Sequence, residues 1–165
     1  MIGNSDLART FWEHGKAADC PIYDMHGHMG PYHSIYFPRA EPADMVRTMD
    51  EAGVRLLIFS HHSALNSPNL ANQPSIAAVR AFPDRLRAYC MVNPNYPEQM
   101  ARDLDAFDSL FPDVYVGFKF LSDYHQIPLT DEAYRPAWEV ADRRGLLVLA
   151  HTWGGSQYGG RSQGR

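Results

Sequence analysis

Apolar and polar positions along the chain follow two periods that take turns. "NSDLARTFWEHG" sets Leu7, Phe11 and Trp12 on one side of a helix that Asn4 or Ser5 can start. "IYDMH" follows as a first strand. "EPADMVRTMDEAG" returns to the helical period, with Met45, Val46, Met49 and Ala52 on one face and Gly53 as the stop. "VRLLIFS" has no polar alternation at its centre, as expected of a strand covered on both faces. A helix from about Pro74 to Phe82 leads into "LRAYCMV", where Leu86, Ala88, Cys90 and Val92 alternate. "PEQMARDLDAFDSLF" spaces Met100, Leu104, Phe107 and Phe111 as a helix does, and "VYVGFKF" is a fourth strand. "PAWEVADRRG" starts on Pro136, carries Arg143 and Arg144 in its last turn, and ends at Gly145. "LLVLA" is the fifth strand and runs into His151.

Repeated strand–helix alternation specifies a parallel sheet with right-handed crossovers and helices outside it. Two architectures satisfy it. A doubly wound sheet of about five strands suits the 165 residues. A (β/α)₈ barrel typically takes about 250 residues, so this chain would supply its first five units or so. Length favours the first.

Composition narrows the function classes. Hydrophobic residues make up 45% and charged ones 21%, which is globular, and the length suits one domain over 1–165. The formal charge of -4 comes without a Lys/Arg block, so neither nucleic acid nor an anionic membrane is the expected partner. Apolar runs such as "LLVLA" are too short to span a bilayer, and "MIGNSDLART" lacks the apolar region of a signal peptide. Cys20 and Cys90 make no disulfide framework, so a reducing cytoplasm is the expected compartment.

The eight histidines change the picture by their placement. On an alternating strand Asp24, His26 and His28 share one side, with Gly27 leaving room between the imidazoles. Zinc takes histidine nitrogen at roughly 2.0–2.1 Å and keeps a position open at catalytic sites. His151 ends the fifth strand at the same, C-terminal edge, where α/β proteins and barrels place their chemistry. In a closed barrel strands one and five face each other across the mouth; in a flat sheet they have no common centre. The histidines therefore favour the barrel, with His26, His28 and His151 as metal ligands.

Lys119, inside the apolar "GFKF", has two readings. It pairs with a carboxylate such as Asp24 or Asp123, or it is a functional group: a substrate-facing cation, or a metal-bridging lysine after carboxylation. Together with His151 it is the catalytic candidate. His33, His61, His62 and His125 read as ordinary hydrogen-bonded residues. "SHH" nevertheless closes the second strand at the active edge, which makes His61 a substrate-binding candidate. Tyr32, Tyr36, Phe37 and Trp153 would suit a flat or aromatic small-molecule substrate, with Trp153 carried as the second binding candidate, although loop packing uses aromatics as often.

"YDMHGHMG", "VGFKF" and "GLLVLAHTWGG", in this order, resemble the amidohydrolase superfamily. The similar branch is the amidohydrolase-related group of metal-dependent hydrolases, which includes non-oxidative decarboxylases of aromatic and related acids. The resemblance runs from Pro21 to Gly155. It implies a (β/α)₈ barrel with a divalent metal at its mouth, zinc first and manganese or another ion as alternatives. It also implies that His26 and His28 bind the metal from strand one and His151 from strand five. In such enzymes an aspartate from strand eight and a histidine from strand six assist. The chain reaches Arg165 before any such strand, so the expectation is a partial barrel of five units in sequential order, with 154–165 as loop or disordered tail. Open strand edges suggest self-association into a homo-oligomer. Hydrolysis and decarboxylation both stay open, as does an inactive half-barrel that at most binds metal.

Overall fold

The computed structural model describes residues 5–16 and 19–152. The expected tail over 154–165 and Trp153 lie outside the described residues. Among those described, five parallel strands, β1 (Ile22–Met29), β2 (Val54–His61), β3 (Leu86–Met91), β4 (Tyr115–Phe120) and β5 (Leu147–Ala150), pair in the order β1-β2-β3-β4-β5. A doubly wound sheet would have reversed its order part-way, so the sequential order selects the barrel type.

The sheet curls into a half-barrel. In a flat sheet β1 and β4 would lie roughly 14 Å apart at ~4.8 Å per strand. Yet Lys119 Nζ on β4 is 3.1 Å from His26 Nε2 on β1, and the Tyr89 hydroxyl on β3 donates to the Met25 carbonyl at 3.1 Å. Such contacts across the concave face require curvature.

The helices are α1 (Asp6–His14), α2 (Pro42–Ala52), α3 (Ser63–Asn66), α4 (Gln73–Ala81), α5 (Pro97–Leu110), α6 (Ser122–His125) and α7 (Arg135–Arg144), with a 3₁₀ turn at Glu132–Tyr134. Prolines occupy the first turns of α2, α4, α5 and α7, where the missing N–H costs nothing. One row of strand side chains, including Met29, Leu57, Phe59, Leu86, Phe118 and Phe120, packs against Met49, Val79, Met100, Phe107 and Ala137 of these helices. Phe107 lies 5.6 Å from Tyr115 and 4.7 Å from Phe118, and Phe120 meets Trp138 edge-on at 4.4 Å. Burying each such ring contributes about 1.5–3 kcal/mol.

Three details differ from the sequence pattern. β1 continues past His26 to Met29, so His28 stands within the strand. The short helices α3 and α6 occupy the loops after β2 and β4, where no apolar period announced them. α1 forms, with Ser5 Oγ accepting from the Ala8 N–H, but none of its residues is buried, and Leu7, Phe11 and Trp12 are exposed.

Candidate active site at the C-terminal edge of the sheet

Parallel pairing brings the C-terminal ends of all five strands to one edge, and the side chains turned away from the helices meet there. On β1 the alternation is interrupted. Asp24 lies beside Leu57 and Gly27 beside Phe59, so three steps on β1 match two on β2. This bulge changes the parity. By register Asp24 takes the side of Leu57, in the helix-facing core, while His28 takes the opposite side with Ser60. The expected grouping of Asp24 with the two histidines is corrected here. Asp24 instead accepts from the His26 N–H at 2.9 Å and pins the bulge.

Gly27 also has another reason than the one expected. A Cβ there would come within 2.4 Å of Leu57 Cδ1, on the helix side of the sheet. The glycine leaves room for Leu57 in the core, and not for the imidazoles.

The rings of His26 and His28 stand 5.2 Å apart, and the ring of His62 stacks on His28 at 5.2 Å with 24° between planes. His62 is buried, and its Nδ1 donates to the Gly30 carbonyl at 2.6 Å. A carbonyl only accepts, so this proton is fixed on Nδ1 and the lone pair of Nε2 is left for another partner. Gly30 makes the turn at φ +81°, and a Cβ would fall 2.3 Å from His61 Cε1. Tyr32, at 5.0 Å, and Phe37, edge-on at 6.3 Å, complete the wall around His62. Tyr36 stands in solvent.

Lys119 is fully buried and its Nζ meets His26 Nε2 at 3.1 Å, so its partner is an imidazole and not the carboxylate of Asp24 or Asp123. Burial lowers its pKa to about 8. His151, whose N–H donates to the Phe120 carbonyl at 2.8 Å, sets its ring edge-on to Tyr124 at 5.0 Å. Desolvation, and then the Lys119 charge, lower the pKa of both His151 and His26. His28 is pushed down to about 4 by desolvation first and then by His62, His26, Lys119 and His151. At neutral pH these imidazoles are uncharged, the form that ligates, and Nε2 of His26 is taken by Lys119 Nζ.

His26, His28, Lys119 and His151 thus share one electrostatic neighbourhood. His61 does not join them. It lies beside Met29, which packs in the helix-facing core, and its Nδ1 accepts from the Ser63 N–H at 3.1 Å. Two groups escaped the sequence reading. His62 looked like its neighbour. Ser60, beside His28, is buried with a hydroxyl that has no hydrogen-bond partner. A hydroxyl closing an apolar strand at the active edge was its only signal.

The fit of a metal can be tested on this geometry. Two imidazoles sharing a tetrahedral ion at ~2.1 Å per nitrogen hold their ring centres roughly 5 Å apart. The 5.2 Å between His26 and His28 matches. Among the described residues, however, no three His, Cys, Asp or Glu side chains converge closely enough to enclose an ion. The pair fits; a third ligand requires His151 to approach and Lys119 Nζ to leave His26 Nε2.

No family model and no curated protein sequence matches the chain. Solved structures do. A probable 2-pyrone-4,6-dicarboxylic acid hydrolase from Acinetobacter baumannii, with citric acid bound, matches at TM-score 0.56 and 17% identity over 80% of this chain and 49% of its own. A 5-carboxyvanillate decarboxylase from Sphingomonas paucimobilis matches at TM-score 0.62 and 14% identity, over 84% of this chain and 53% of its own. A second 5-carboxyvanillate decarboxylase, from Novosphingobium aromaticivorans and complexed with manganese and 4-hydroxy-3-methoxy-5-nitrobenzoic acid, matches at TM-score 0.54 and 18% identity, over 91% and 39%. The chain spans about half the length of these proteins or less. Among the described residues no helix is long and apolar enough to cross a membrane. Over the part it spans, the chain has the fold of these hydrolase and decarboxylase structures.

Proposed function

We propose that this chain carries the metal-holding portion of an amidohydrolase-superfamily enzyme, a hydrolase or non-oxidative decarboxylase acting on a small carboxylated substrate. The observation that carries it is the contact of His26 with His28 and with Lys119 at the C-terminal edge of a curled parallel sheet, with His151 near enough to act on His28 electrostatically. The fold neighbours named for hydrolysis and decarboxylation of carboxylic acids support the substrate class.

His26 and His28 would hold a divalent ion, with His151 as the third ligand. Such an ion supplies Lewis-acid charge at the substrate oxygen. The chain's own groups do the rest. Lys119, with its pKa near 8, offers either a cation for a substrate carboxylate or a proton to pass on. Ser60 Oγ and His62 Nε2 offer a donor and an acceptor to orient the substrate. The bound manganese of one neighbour supports manganese beside zinc as the ion. The free Cys20 and Cys90 suit a reducing compartment such as the cytoplasm.

The decisive experiment incubates the zinc- or manganese-loaded chain with hydroxylated benzoates and with cyclic lactone acids, following CO₂ release and ring opening separately. Turnover that disappears in both His28→Ala and Lys119→Met supports the reading, and turnover indifferent to both overturns it. A second reading has its own observation, the lack of three converging ligands among the described residues. On that reading the chain binds metal and associates with itself but turns nothing over. Metal binding with no product from either substrate class would favour it.

A further inference from the structure

Apart from the groups at the mouth, the buried polar side chains among the described residues are Asn72, Ser75 and His125. Asn72 is clasped on β3: the Met91 N–H donates to its Oδ1 at 3.0 Å, and its Nδ2 donates to the Met91 carbonyl at 2.9 Å. Ser75 stands within α4, on the helix side of the sheet. His125 is differently placed, because it ends α6, the one-turn helix that follows β4 at the active edge. The proposed chemistry does not use it.

A helix of four residues cannot fix its own position, since a single turn restrains several dihedrals for one or two hydrogen bonds. α6 is held from outside. His125 Nδ1 lies 2.9 Å from the Tyr134 hydroxyl, and Asn95 Nδ2, from the loop after β3, donates to the His125 carbonyl at 3.0 Å. Tyr134 is fully buried, and its ring lies 5.2 Å from that of Phe120, the last residue of β4.

What α6 carries is set against His151. Tyr124, next to His125, stands edge-on to the His151 imidazole at 5.0 Å. Asp123 is near enough for its charge to oppose the desolvation and the Lys119 charge that lower the His151 pKa. These contacts close a circuit. The His151 N–H donates to the Phe120 carbonyl at 2.8 Å, Phe120 packs on Tyr134, Tyr134 meets His125, and α6 returns through Tyr124 to the His151 ring. Backbone and side chain of His151 are therefore tied to the same strand end, one directly and the other through α6.

We propose that α6 positions the third ligand: Tyr124 sets the plane of the His151 imidazole, and His125, locked between Tyr134 and Asn95, sets Tyr124. Both act as positioning residues, and the proposal rests on the reading of His151 as a ligand. A side chain that ligates gives up rotamer freedom, and a neighbour that has already narrowed its choices reduces that loss.

The test reads the His151 ring first and the metal second. In the metal-free chain, ¹H–¹³C spectra of the histidine rings should show the His151 signals shifted by the ring current of Tyr124. Tyr124→Leu should remove that shift, and Tyr124→Phe should keep it. His125→Phe, which fills the space but cannot bond Tyr134, should also move the His151 signals. His125→Asn, whose amide replaces Nδ1, should restore them. In zinc calorimetry Tyr124→Leu should weaken binding about tenfold, the lower end for residues that orient a ligand. The same substitution made in His151→Ala should have no further effect. His151 signals unmoved in Tyr124→Leu and His125→Phe, or an equal loss of zinc affinity with and without His151, would overturn the proposal. Should His125→Phe not fold, the double variant Asn95→Ala, Tyr134→Phe removes both tethers and keeps every ring, and unmoved His151 signals there overturn it equally. A chain that binds no zinc overturns the ligand reading of His151 itself, while the ring signals still decide the hold of α6 on it.

Discussion

The imidazole of His62 lies on that of His28 with ring centres 5.2 Å apart and planes 24° apart, while its own Nδ1 proton is held by the Gly30 carbonyl. A buried ring thus fixes the face that an exposed one presents to the mouth. Partners of this kind, which orient a ligating side chain without touching the ion, typically contribute 10–100-fold in metal affinity. His62→Ala should therefore weaken zinc or manganese binding by about tenfold in calorimetry, with His62→Phe, which keeps the stacking, closer to wild type. Unchanged affinity in His62→Ala would remove the positioning role.

Metal binding itself should follow the imidazoles. His26→Ala and His28→Ala should each abolish measurable zinc and manganese binding, and His151→Ala should weaken it. An imidazole ligates only when neutral, and desolvation holds the His28 pKa at about 4, below the ordinary 6.5. The pKa values of His26 and His151 are lowered too, so affinity should persist as pH falls through 6.5 and be lost below it, when the first of the three imidazoles takes up a proton. A midpoint at 6.5 would show that the site is wet. Loss in His26→Ala and His28→Ala alone would demote His151 to a neighbour.

Lys119 should cost stability where it stands. Its pKa is about 8 in the fold against 10.5 unfolded, so the fold disfavours the charged form and this penalty is fully present below pH 8. Lys119→Met should raise stability at pH 7 by about 2–3 kcal/mol in urea unfolding. The gain should vanish as pH rises through 10.5, and turnover should be lost. A destabilised Lys119→Met would mean that the ammonium is well compensated by groups other than His26.

A separate pH effect belongs to His125. Its Nδ1 lies 2.9 Å from the Tyr134 hydroxyl, and its buried Nε2 has no hydrogen-bond partner. Burial lowers its pKa to about 4, so the unfolded chain takes up the proton first as pH falls below 6.5. The loss of stability from this residue should run from pH 6.5 down to 4 and total about 3 kcal/mol. His125→Gln should flatten that limb by a comparable amount in urea midpoints measured from pH 8 to 4. An unchanged limb would assign the acid sensitivity to His28 and His61 instead.

The two outer strands of the sheet carry exposed apolar residues, Tyr23 at 56% and Met25 at 44% on β1 and Leu147 at 52% on β5. Unpaired edges with such residues invite pairing. Sedimentation should show concentration-dependent association of the chain, reduced in the Tyr23→Lys, Leu147→Lys double variant. A stable monomer at high concentration in the unsubstituted chain would contradict this.

Order and period were legible from the residues because each strand packs an apolar row on a helical one: "VRLLIFS" and "VYVGFKF" became β2 and β4 within a residue of the expected ends. That His26, His28 and His151 lie at one edge was legible because strand ends of one edge come together in any parallel sheet. The bulge was not. Nothing in "YDMHGHMG" distinguishes Asp24 on the His side from Asp24 on the Leu57 side, because parity there is set by the pairing with β2. His61 and His62 show the same limit. They are adjacent in sequence, and the end of β2 sends one ring towards Met29 and Ser63 and the other onto His28.

The clasp of Asn72 on Met91 has a consequence for the shape of the mouth. β2 and β3 pair only as far as Phe59 and Ala88, although both strands run further. Beyond that point a single side-chain amide takes both backbone groups of Met91, standing in for one peptide unit of the departed neighbour. β2 is thereby released to lean towards β1, where the His62 N–H donates to the Met29 carbonyl at 2.8 Å. The gap between the two strands opens as a wedge whose angle one amide holds. Leucine at position 72 would strand two buried backbone groups, and the wedge would close or flood.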